Sequence, residues 1–202
     1  MFWTIYAIVV FVALAMMVRE GLWSNSIALV NITISGLVAF GFYSPLVIYL
    51  DELSGGKHTY WLDFAVIWAL FSASMVICRA VAAAASKTRM RFKHPIDPVG
   101  GPLVGLIAAW VLTAFTLATL HTAPMPKEAF SGKLVHPDVS SASAFGSPDA
   151  AWLRFVEKMS APTALGSSST ERFGAKGFVK LYEERRSAFE KAPSLVVPRT
   201  GT

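Results

Sequence analysis

Residues 26–50 read SIALVNITISGLVAFGFYSPLVIYL, a run of 25 with no Asp, Glu, Lys or Arg in it. At 1.5 Å per helical residue this run is about 37 Å long, more than the ~30 Å of hydrocarbon in a bilayer. A charge at the centre of a lipid-facing helix costs several kcal/mol, so the absence of charge over such a length is what a membrane span requires. Gly36, Gly41 and Pro45 lie inside the run. Pro45 removes one backbone donor and crowds the carbonyl of Gly41, so the helix is expected to kink there or to end early near Ser44-Pro45.

Working outward, similar runs appear on both sides. Residues 2–18, FWTIYAIVVFVALAMMV, form a first apolar segment at the lower length limit for a span. No basic stretch precedes it, which predicts a retained helix and not a cleaved signal peptide. Residues 60–85 form a third segment and residues 99–120 a fourth, entered through Asp97-Pro98, an N-cap followed by proline at the first helical position. The predicted fold is therefore all-α, a four-helix transmembrane bundle over residues 1–122, followed by a polar tail over residues 123–202 that is mostly disordered or short-helical. Two amphipathic helices are predicted in the tail. Trp152, Phe155, Val156 and Met159 recur at helical spacing over about 148–159. Phe178, Leu181, Tyr182 and Phe189 share one side of a helix over about 177–192.

Composition agrees. Hydrophobic residues make up 54% of the chain and charged ones 15%, well below the quarter usual for soluble domains. The net charge of +5 raises nucleic acid as a partner in a soluble protein. Here the positions of the charges account for it, and no nucleic acid is expected. Arg19, Lys87, Arg89, Arg91 and Lys93 gather in the first and third connections, whereas residues 51–59 hold one lysine and two acids. Short basic loops stay in the cytoplasm, which predicts both termini on the periplasmic side. Cys78, the only cysteine, lies inside a span and reads as a packing residue.

Few residues point to chemistry. Gly101, Gly105 and Ala109 form a small-residue stripe that lets two helix backbones approach closely, within the chain or between copies. Arg79 near the end of the third span either lines a polar path or extends its head group to the cytoplasmic interface, with Asp97 or Glu20 as partners. Asp63 is expected at the outer interface beside Lys57. Asn31, Thr113 and Thr116 are polar groups inside spans, read as bonds between or within helices. His58 and His121 with Asp51 are the only candidates for a metal site, without ligand-pair spacing. No hydrolase, metalloprotease, phosphate-loop or dinucleotide signature is present. The chain reads as non-enzymatic, with no cofactor.

The four spans, the Arg19-Glu20-Gly21 turn, Arg79, and Ile96-Asp97-Pro98-Val99-Gly100-Gly101-Pro102-Leu103-Val104-Gly105 opening the last span resemble the CvpA family, the colicin V production proteins. The resemblance covers about residues 1–122. Asp149-Ala-Ala-Trp152-Leu-Arg-Phe155 and Tyr182-Glu-Glu-Arg185-Arg186 resemble the tails of longer bacterial members. It implies a multi-pass protein of the bacterial inner membrane that supports toxin production or export, or envelope homeostasis. The bilayer is the expected partner, with a second copy or another membrane protein beside it. An oligomeric small-solute channel or transporter subunit is the alternative, motivated by the possible helix breaks at Gly41/Pro45 and at Pro98/Gly100/Gly101.

Overall fold

The computed structural model describes residues 7–11, 15, 21–54, 59–85, 96–125, 146–161, 164 and 173–191. Within them lie five α-helices: α1 (Leu22–Ser54), α2 (Thr59–Ala85), α3 (Ile96–Thr119), α4 (Pro148–Met159) and α5 (Ala175–Lys191), with a 3-10 turn over Leu120–Thr122 closing α3. Three helices are long and apolar enough to cross a membrane, over Leu22–Leu53, Trp61–Ala85 and Asp97–Thr122. They place the protein in a lipid bilayer. The fourth span expected over residues 2–18 is not shown: residues 7–11 and 15 are helical, and the rest of that segment lies outside the described residues.

α1 differs from expectation in two ways. It starts at Leu22, ahead of Ser24 and Asn25, and it runs through Pro45 without a break. A membrane helix tolerates proline where its neighbours and small local adjustments absorb the missing bond. Pro45 is on the exposed side of α1, and the space around Gly41, whose carbonyl the ring crowds, is open. The broken-helix signature of a transport site is therefore absent from α1.

The end of the bundle where α1 and α3 begin is fixed by polar groups. The backbone N–H of Leu22 donates to Asp97 Oδ1 at 2.8 Å, and Asn25 Nδ2 donates to the Gly101 carbonyl at 2.8 Å. Asp97 was expected to cap its own helix. It sits instead in the first turn of α3 and caps α1, where the unsatisfied N–H groups of a helix start favour a carboxylate. The Gly101, Gly105 and Ala109 stripe is buried within the chain. Thr113 Oγ1 and Thr116 Oγ1 donate to the carbonyls of Ala109 and Leu112, four residues back.

The tail helices pack on the spans. Trp152, Leu153 and Val156 of α4 and Phe178, Val179 and Tyr182 of α5 belong to one buried cluster with Phe40, Tyr43, Phe71 and Phe115 of the spans. Close contact and ring geometry hold the two sets together. Phe71 and Phe115 stack at 4.3 Å, and Trp152 meets Phe115 edge-on at 5.7 Å. Gly36 leaves room for the Trp152 ring, since a Cβ there would lie 2.5 Å from its Cζ2.

Candidate functional site

An ion pair and a histidine–carboxylate hydrogen bond join the tail to one end of the spans. Asp63 stands in the first turns of α2 and is buried. Its carboxylate receives the guanidinium of Arg185, carried by α5 and separated from it by 122 residues. The Tyr182 hydroxyl also bonds to this carboxylate, and it bonds to Tyr43 of α1. Arg185 lies over the Tyr182 ring, 5.3 Å from its centre, a cation–π contact. One turn of α5 thus delivers Tyr182 and Arg185 together to a span acid. Burial pushes the Tyr182 phenol well above its ordinary range, so the ring stays neutral.

The second pair is deeper. His121 lies in the 3-10 turn that ends α3, and Asp149 in the first turn of α4; each side chain is 1% exposed, with Nε2 and Oδ2 2.9 Å apart. An ionised carboxylate only accepts, so Nε2 carries the hydrogen. The turn itself is set by hydroxyls that bond back to the chain, Thr119 to the Thr116 carbonyl and Thr122 to the Thr119 carbonyl. Between the two pairs lies a small, partly open recess of about 20 Å³, room for about one water. Asp63, His121, Tyr182, Arg185 and Arg186 line it together with Thr122, Ala123 and Pro124. One acid, Asp63, lines it with two arginines and an imidazole, and Asp149 holds that imidazole from behind, a set suited to holding elements together. Removing Arg185 leaves the charge of the shielded Asp63 without its partner, which makes the pair a stringent clasp even where its net worth is small.

Of the residues singled out in the sequence, Asp63 and His121 enter this site; Asp63 pairs with Arg185, and Lys57, its expected neighbour, lies outside the described residues. His121 bonds Asp149 and not a metal; His58 lies outside the described residues. No group of three metal-ligating side chains occurs among the described residues. Arg79 is exposed on α2, far from the recess, and Asn31 is buried near the middle of α1. Arg19, Glu20, Lys87, Arg89, Arg91 and Lys93 lie outside the described residues. Sequence reading missed Arg185, Asp149 and Tyr43. The available signal was that Asp149 and Arg185 fall at opposite ends of two amphipathic helices while Asp63 begins a span without a neighbouring base on its own helix.

Long apolar helices clasped by a helical tail define a multi-pass membrane protein. The chain belongs to the colicin V production protein family, whose model matches residues 3–143. No curated protein and no solved structure matches the chain.

Proposed function

We propose that this protein is a non-catalytic component of the bacterial inner membrane. It supports toxin production or export of the colicin V kind, or envelope homeostasis, through a rigid assembly of spans and tail. Residues 2–18 complete the membrane domain as a fourth span, and both termini lie on the periplasmic side, as the basic first and third connections favour. The observation that carries this reading is the Asp63–Arg185 pair, which makes α5 part of the membrane domain's outer end. A tail fixed in this way presents one shaped surface at the interface, where an export or envelope partner meets it.

The test is complementation in a bacterial strain deleted for its own family member and sensitised to envelope stress. The full chain is expected to restore growth, while Arg185→Glu, inserted at equal level, does not. Equal rescue by Arg185→Glu sinks the role given to the clasp. Failure of the full chain to rescue any such phenotype sinks the functional assignment.

A further inference from the structure

α2 serves as a ruler for the bilayer, because it buries the least of its surface among the three long helices. Residues 64–78, between Asp63 and Arg79, carry no charge, and the two are 16 residues apart, about 24 Å along the helix. Arg79 is exposed and can extend its head group a further several Å toward Ala85. The hydrocarbon layer, ~30 Å thick, therefore fits between an outer edge near Asp63 and an inner edge just beyond Arg79.

Against that ruler the tail helices carry charge where lipid forbids it. α5 runs outward, since Phe178 packs on Phe40 and Tyr43 while Arg185 reaches Asp63. Lys176, nine residues before Arg185, is exposed about 13 Å inside the outer edge, and Gly177 about 12 Å inside it, while the exposed Lys180, about 7 Å inside, is near enough to reach that edge. α4 runs inward, from Asp149 beside His121 to Trp152 against Phe115. Its exposed Lys158 is nine residues past Asp149, about 13 Å further along the helix. At comparable depth the spans expose apolar groups, Phe42 on α1 and Ala69 on α2, about 9 Å past Asp63. The spans suit lipid there and the tail flank does not.

We propose that the flank formed by α4 and α5 faces water, as a notch that enters the bilayer from the Asp63 side to a depth of about 12 Å and brings water to the recess. The inference rests on α1, α2 and α3 being spans. Gly177 provides a probe position that disturbs nothing, because an added Cβ meets no atom within 4 Å.

The experiment uses the full chain with Cys78→Ser, and Gly177→Cys, Lys180→Cys or Ser72→Cys added singly. Ser72 is exposed on α2 about 13 Å inside the same edge. Each variant is reconstituted in proteoliposomes and treated with a membrane-impermeant maleimide on both faces. Labelling is normalised to the protein denatured in detergent. Positions 177 and 180 are expected to react at least tenfold faster than position 72. Protection of 177 together with 180 means that lipid or protein covers the flank, and the notch is refuted while the spans stand. Labelling of 180 alone also refutes it, since a lysine so near the edge needs no notch. Rapid labelling of all three shows that this level lies outside the bilayer, and the span reading fails at that depth.

Discussion

Asp63 at the start of α2 and Arg185 on α5 form an ion pair that closes 122 residues of chain and ties the last described helix to a membrane span. Asp63 is almost wholly shielded and Arg185 is about a third exposed. Loss of the arginine strands the acid, whereas loss of both charges removes the conflict. Arg185→Ala is expected to destabilise the docked tail by about 3 kcal/mol, and Asp63→Asn combined with Arg185→Gln to recover most of it. Limited proteolysis of the tail in mild detergent reads this directly. Equal protease resistance of Arg185→Ala and the unchanged protein would show that the pair clasps nothing.

Gly36 and Gly41 lie on the same helix and should respond with opposite sign. An added methyl at Gly36 would sit 2.5 Å from Trp152 Cζ2, against a ring packed on Phe40 and Phe115. Gly36→Ala is expected to cost about 1–3 kcal/mol through overpacking, relieved by Trp152→Leu in the same chain. At Gly41 nothing lies within 4 Å, so Gly41→Ala should stabilise by up to about 1 kcal/mol through helix propensity. Thermal unfolding in detergent compares the two; the same sign for both would contradict the packing at Gly36.

The cap that Asp97 gives to α1 predicts a local effect at the end of the bundle where α1 and α3 begin. Asp97→Ala leaves the Leu22 N–H without its acceptor and is expected to cost about 1 kcal/mol, and Asp97→Asn less, because its amide oxygen still accepts. Amide exchange at the start of α1 should quicken in the first variant. Unchanged exchange there would argue against a cap made across the two helices.

Tyr182 gives the clasp an alkaline limit. Its phenol titrates higher in the folded protein than its ordinary 10, because burial disfavours the phenolate. The folded state thus binds the proton more tightly than the unfolded one, and the resulting stability is complete below about pH 10 and declines as pH rises above it. Protease resistance of the tail should fall above about pH 10, less steeply in Tyr182→Phe, which also loses about 1 kcal/mol for the bond to Asp63. An identical alkaline profile in both proteins would remove Tyr182 from the account.

Residues 26–50, 60–85 and 99–120 declared themselves in the sequence because lipid imposes a one-dimensional rule. A helix that crosses it must be long and free of charge, and both properties are read along the chain without knowing any neighbour. The family resemblance was legible for a related reason, since it rests on a short local run around Asp97 and Gly101. The amphipathic faces of α4 and α5 were legible too, as periodicity. What covers those faces was not. Tertiary packing chose the partners of Asp63, His121 and Asp97, and placed Trp152 on Gly36. Those choices depend on distances between segments far apart in the chain, and a buried charge accepts whichever opposite charge the folded backbone brings within reach.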